Sequence, residues 1–220
     1  MPKISLVEPQ KKNPKRFNIF LDGEFAFGAD EDLVVNRRLV VGKEIALQDL
    51  EKILFEAEVG KLMERMYRLF SIRQRSEKEV RDYFRIKNQV YRIKDKEQIS
   101  PLIVDSVVEV LKKKGLVNDL EFAKAWVEAR RKSKQKGIKA LKAELFQKGI
   151  EKEIIEEVVS QQAAGNSEEG LAKQALEKKM NHWKDLSVVE FKKKAFEYLM
   201  RKGFEYDVVR EVIENSLKKE

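Results

Sequence analysis

The side chains best placed to act on another molecule in this chain are cations. Arg130, Arg131, Lys132, Lys134, Lys136, Lys139, Lys142 and Lys148 fall between residues 130 and 148, with Glu144 as the single acid among them. Ammonium and guanidinium heads at this density draw polyanions by releasing condensed counterions, and they draw acidic protein surfaces as well. Charge alone does not choose between the two. A helix C-terminus favours each nearby cation by only about 0.3–1 kcal/mol. Five cations within residues 130–136 exceed what that small gain requires. A second basic group, Arg73, Arg75 and Arg81, lies upstream.

The constellations that break and form bonds are missing. His182 is the sole histidine, and no glycine-flanked nucleophile accompanies it, so a Ser-His-Asp arrangement has no basis. Cysteine is absent, which excludes disulfides, thiolate metal sites and a thiol nucleophile. Neither a G-x4-G-K-[ST] loop nor G-x-G-x-x-G occurs. Glu153, Glu156 and Glu157 share a helix with an apolar stripe and read as a solvated face rather than as metal ligands or paired acids. We therefore expect no catalytic residues, no metal and no cofactor; the functional surface should be a binding face. Phe20, Phe25 and Phe27, beside Lys11, Lys12, Lys15 and Arg16, could stack unpaired bases. A hairpin this short must bury its aromatics to be stable, so a small core is the better reading.

Helices must position the main basic cluster. Gly115 stops one helix and Asn118 can cap the next, whose Phe122, Ala123, Trp126, Val127 and Ala129 share an apolar face. Glu121, Lys124, Glu128 and Arg131 fall mostly on the other face. Gly137 interrupts the pattern; Ile138, Leu141 and Leu145 begin a second stripe that Lys148 and Gly149 end. Ile150, Ile154, Ile155, Val158 and Val159 form a third. This three-helix unit recurs, with Lys148-Gly149-Ile150 echoed at Lys202-Gly203-Phe204, and a looser copy uses Leu62, Met66, Leu69, Val80, Phe84, Ile103, Val107 and Leu111. Ser76-x-x-Glu79 and Ser187-x-x-Glu190 are capping boxes. The third helices carry many acids, which would repel phosphate, so sequence-specific helix-turn-helix readout is disfavoured.

The expected architecture is mainly α: three tandem three-helix repeats at 58–116, 117–164 and 165–220, in an elongated body. Before them, residues 1–57 form a small α+β extension. It contains a strand at Lys3 to Val7 and a hairpin around Asp22-Gly23, whose type I′ turn needs positive φ at both central residues. A helix follows at Leu33 and Val34, a brief strand or turn at 39–45, and a helix with Leu50, Ile53, Leu54 and Ala57. The next helix runs from about Gly60 to Ile72. The polar segment 85–98 reads as an inserted loop or helical extension, and Ala164 to Ser167 as a linker. With 38% charged residues, a net charge of +8, no long apolar run and no signal peptide, the chain is expected in the cytoplasm, away from membranes.

Laid out this way, the residues resemble the RecX family of bacterial regulators of the RecA recombinase. The matching phrases are Arg73-Gln-Arg75-Ser76-Glu77-Lys78-Glu79-Val80, then Gly115-Leu116-Val117-Asn118-Asp119-x2-Phe122-Ala123-x2-Trp126-Val127-x2-Arg130, and Gly137-x3-Leu141-x2-Glu144-Leu145-x2-Lys148-Gly149-Ile150. Gln74 stands where proline is common, and segment 85–98 lengthens the first repeat. The resemblance implies a curved, elongated molecule that lodges in the groove of a RecA filament on single-stranded DNA and limits recombinase, ATPase and coprotease activity; a monomer is the expected state. The basic patch would then contact DNA, with Arg130, Arg131, Lys132, Lys134, Lys136 and Lys139, and with Arg73, Arg75 and Arg81, as candidates. A general nucleic-acid binder without RecA specificity is the alternative.

Overall fold

The computed structural model describes residues 1–163 and 167–217. It contains three strands, β1 (Ile4–Gln10), β2 (Asn13–Leu21) and β3 (Glu24–Asp30). The helices are α1 (Glu31–Asn36), α2 (Leu47–Phe70), α3 (Glu77–Ile93), α4 (Pro101–Lys113), α5 (Asp119–Lys134), α6 (Ile138–Gln147), α7 (Lys152–Ala163), α8 (Glu168–Met180), α9 (Val188–Lys202) and α10 (Tyr206–Leu217). The chain divides into two compact units: Met1–Gln74 with Val80–Val117, and Arg75–Glu79 with the chain from Asn118 onward. Among the described residues no helix is long and apolar enough to cross a membrane.

In the first unit β1, β2 and β3 pair antiparallel in sequence order. Asp22 and Gly23 take φ of 50° and 92°, the two positive angles a type I′ turn demands. Ile4, Ile19, Phe27, Leu33, Leu39, Ile45, Ile53 and Ala57 close a core beneath the sheet. Phe27 is thus a core residue, whereas Phe25 is 59% exposed and meets Phe20 edge to face at 5.8 Å. Arg16 is buried, donates to the Gly28 carbonyl at 3.0 Å and lies 3.4 Å from Glu64. Residues 39–45 form turns, with a single bridge between Lys3 and Glu44.

The two helices expected over 47–72 are one helix of 24 residues, α2, which runs through the expected boundary at 57. A glycine inside a helix costs about 1 kcal/mol, too little to break one packed along its length. Gly60 also answers a close approach: a Cβ there would stand 2.5 Å from the Asp30 carboxylate. One end of α2 sends Ile53 and Ala57 into the sheet core. The other sends Leu62, Met63 and Met66 into a second core with Val80, Phe84, Val107, Val108 and Leu111. Segment 85–98 continues α3 to Ile93 and then turns back. Asn88 ties the return by donating to the Ile99 carbonyl at 2.8 Å and accepting from the Ile99 N–H at 2.9 Å.

The second unit holds two three-helix modules. Phe122, Ala123, Val127, Leu141, Leu145, Ile155 and Val158 fill the core of α5–α7; Leu171, Ala175, Leu176, Phe191, Leu199, Phe204 and Val209 fill that of α8–α10. Asn118 caps α5 by accepting from the Glu121 N–H, and Ser187 with Glu190 forms a complete capping box. Ser167 caps α8; the expected linker residues 164–166 lie outside the described residues.

Backbone contacts lock the two modules together. The Gly137 N–H donates to the Lys202 carbonyl at 2.9 Å, and the Lys139 N–H to the Gly203 carbonyl at 3.0 Å. A Cβ on Gly137 would lie 2.5 Å from Gly203 backbone, and one on Gly203, at φ +86°, would lie 2.3 Å from the Ala140 nitrogen. Within the same unit the Arg75–Glu79 segment packs on the end of α6: Ser76 Oγ donates to the Lys148 carbonyl at 2.7 Å, and Lys78 packs on Gly149.

Candidate functional site

Two groups of cations meet where α5 ends. The first surrounds Glu144, on α6. Its carboxylate accepts from Trp126 Nε1 at 2.9 Å and from Arg130 Nε at 2.8 Å, and lies 3.1 Å from Lys136 Nζ. The Trp126 ring stacks on Phe122, with the Arg130 guanidinium 4.3 Å and the Lys148 ammonium 4.8 Å from its centre. Burial raises the Glu144 pKa, but the bonds from Trp126 and Lys136 and the charges of Arg130 and Lys136 outweigh it, so the carboxyl is held below the usual range. Trp126 is half-buried with its N–H committed, and Ala129 is exposed, so the apolar face of α5 is narrower than its spacing suggests.

Arg131 departs further from expectation. Read as a residue of the outer face, it is 4% exposed, with Nη1 2.9 Å from Glu168 Oε1. Glu168 also accepts from the Ile138 N–H at 3.2 Å, so one carboxylate of α8 holds Arg131 and the start of α6. The residue is part of the joint between modules and is removed from the solvent-facing set. A buried pair of this kind is costly to break from one side.

The second group encircles Gln135, which is buried and left-handed at φ 44°. Its Nε2 donates to the Lys132 carbonyl at 3.0 Å and its Oε1 accepts from Lys178 Nζ at 2.9 Å. Lys202 Nζ donates to the Lys134 carbonyl and stands 5.3 Å from the Tyr198 ring, with Lys179 Nζ 5.9 Å from the same ring. Burial first, then the positive charges of Lys178, Lys136, Lys179 and Lys134, depress the Lys202 pKa. Among the described residues Lys134, Lys178, Lys179 and Lys202 have no carboxylate partner; Lys136 alone shares Glu144. Mutually repelling ammoniums, assembled from α5, α8 and α9 around a fixed corner, concentrate positive potential there, the kind of field that attracts anions.

The remaining candidates are dispersed. Lys132 and Lys134 are exposed, and Lys139 is exposed but 2.7 Å from Glu205. Lys142 meets Glu156 at 2.6 Å and Lys148 meets Glu79 at 2.5 Å. Arg73 is exposed and donates to the Gln74 carbonyl; Arg81 pairs with Asp105 at 2.7 Å; Arg75 is half-buried with its Nε enclosed. Arg73 and Arg81 belong to the first unit, Arg75 to the second. His182 is exposed in the turn after α8. The sequence reading missed Lys178, Lys179 and Lys202. Their only local signals are a Lys-Lys pair in the last turn of α8 and a lysine before a helix-ending glycine.

Tandem three-helix modules following a small α+β head in the sequence define a helical-repeat protein. Residues 2–46 match the regulatory protein RecX N-terminal domain, 118–159 the second RecX three-helix domain and 167–213 the third. Regulatory protein RecX of Bacillus subtilis (strain 168) is 37% identical over 209 residues, covering 95% of this chain and 75% of that protein. The Listeria innocua protein of the same name is 31% identical over 208 residues, covering 94% and 73%. A crystal structure of regulatory protein RecX superposes with a TM-score of 0.72 at 25% identity, covering 96% of this chain and 98% of the other. The RecX structure from Lactobacillus salivarius, at 24% identity, shares the fold with a TM-score of 0.59 over 71% and 95%. The chain belongs to the RecX family of regulatory proteins.

Proposed function

We propose that this chain regulates RecA by binding the recombinase filament on DNA, lodging in its groove as a monomer and restraining its activities in recombination, repair and the SOS response. It acts in the cytoplasm and turns over no substrate of its own. The observation that carries this reading is the lysine corner around Gln135, where burial and four like charges depress the Lys202 pKa. Ammoniums held together without carboxylates gain most from a ligand that presents several negative charges at once, and a phosphodiester backbone does so. Trp126, committed to Glu144 and to two cations, belongs to the neighbouring Glu144 cluster rather than offering a ring to a base.

The test uses Lys134→Glu with Lys178→Glu, both exposed, so that the cores stay intact. Binding to RecA assembled on single-stranded DNA should weaken by about tenfold or more near 0.1 M salt, and the wild-type affinity should fall steeply as salt rises. Helical content should not change. Wild-type affinity and salt dependence in the reversed protein would remove this corner from the interface. Equal wild-type binding to bare DNA and to the filament would favour a general nucleic-acid binder.

A further inference from the structure

We infer that a cleft in the first unit, with the Phe25 ring in its wall, binds an unpaired segment of nucleic acid. The turn between β1 and β2, strand β3, helix α2 and the turn after α3 bound a cavity of about 1310 Å³. That exceeds the roughly 300–1,000 Å³ of a small-molecule site and suits a stretch of polymer. Its apolar wall includes Phe25, Leu54 and Phe55. The core beneath the sheet closes on Phe27 and does not use Phe25. Phe25 is instead 59% exposed, and its cross-strand partner Phe20 holds the ring edge to face at 5.8 Å. Leu54, in the same wall, is 41% exposed.

Six cations and three carboxylates line this cavity. Glu58 answers Lys61 at 3.2 Å, and Glu64 answers Arg16 and Arg68 at 3.4 Å and 3.9 Å. Lys12, Arg65 and Lys96 come from three different elements, are exposed and have no carboxylate partner among the described residues. Glu97 is the one carboxylate of the wall without a cation partner among them. Each nucleotide of a single strand brings both an aromatic base and a charged phosphate, so one repeating unit meets the ring and the cations together. A duplex would leave Phe25 unused, because its bases are stacked on one another. An acidic peptide would answer the cations but bring its carboxylates against Glu97, whereas a base can donate an exocyclic amine to that group. The cleft is built wholly from the first unit and the lysine corner wholly from the second, so the inference does not rest on the reading of that corner.

The probe is a fluorescein-labelled oligodeoxycytidylate of about twelve nucleotides, read by anisotropy. It is titrated with the full chain carrying Lys134→Glu and Lys178→Glu, which removes the contribution of the corner. In that background Phe25→Ala should weaken binding by about tenfold, a loss that persists near 0.5 M salt, and Phe25→Trp should bind as the Phe25 protein does. Lys12→Glu with Arg65→Glu should weaken binding by about tenfold near 0.1 M salt, and that loss should shrink near 0.5 M. Thermal melts should not change, since every side chain replaced is exposed. Affinity unchanged by Phe25→Ala and by the double reversal would overturn the inference, as would equal binding of an abasic strand of the same length. Tighter binding of a glutamate- and phenylalanine-rich peptide than of the oligonucleotide, weakened by both sets of substitutions, would also overturn it and assign the cleft to an acidic protein segment.

Discussion

Glu144 shows how much one acid can organise among eight bases. Its carboxylate holds the Trp126 N–H, the Arg130 guanidinium and the Lys136 ammonium, converting three loose side chains into one fixed cluster. Because its pKa is depressed in the folded chain, the carboxylate contributes stability above the ordinary value of 4.5. That contribution is lost as pH falls through the lower folded value, since the folded state then takes up the proton too. Urea melts of wild type should therefore lose stability as pH drops below 4.5, and Glu144→Gln should show a shallower loss over the same range. A parallel decline in both proteins would place the acid sensitivity elsewhere, with Glu56 beside Arg37 as the next carboxyl to examine. Arg131 makes the complementary point. A periodicity argument assigns it to the solvent face, and a carboxylate 37 positions further along, Glu168, draws it inside.

At the scale of elements, what was legible in the sequence was local. The Asp22-Gly23 turn, the Asn118 cap, the Ser187–Glu190 box and the helix-ending glycines each depend on residues within a few positions, and each forms as expected. The three-helix repeat was also legible, because its apolar stripes recur with the same caps. Continuity of α2 was not, since Val59-Gly60 looks like an interruption until packing on both sides is known. Nor was the lysine corner, whose members come from α5, α8 and α9. The glycine joint between modules yields a prediction at this scale. Gly203→Ala must hold a Cβ at positive φ and 2.3 Å from the Ala140 backbone nitrogen, which only a shift of the joint can relieve. We expect a loss of about 2–4 kcal/mol. Hydrogen exchange should show protection lost first at the Gly137 and Lys139 amides; unchanged exchange there would mean the joint adapts without opening.

For the molecule as a whole, the net charge of +8 hides an uneven pairing of its cations. Arg130, Lys136, Lys139, Lys142 and Lys148 are each answered by an acid within their own unit, whereas Lys134, Lys178, Lys179 and Lys202 have no carboxylate partner among the described residues. A corner of this kind exists only when two modules are correctly assembled, so the proposed binding surface depends on their packing. Helix α2 carries a different consequence, one for folding cooperativity. A single rod shared by the sheet core and the first three-helix core couples the two, because full unfolding of either removes the helix that supports the other. Ile53→Ala and Met66→Ala, one in each core, should each cost about 2–5 kcal/mol and lower the same single transition of the first unit. Two resolved transitions, each moved by only one substitution, would show that the rod parts near Gly60. Intact, it makes the head inseparable from the first repeat, so that no protease could clip the hairpin domain away and leave that repeat folded.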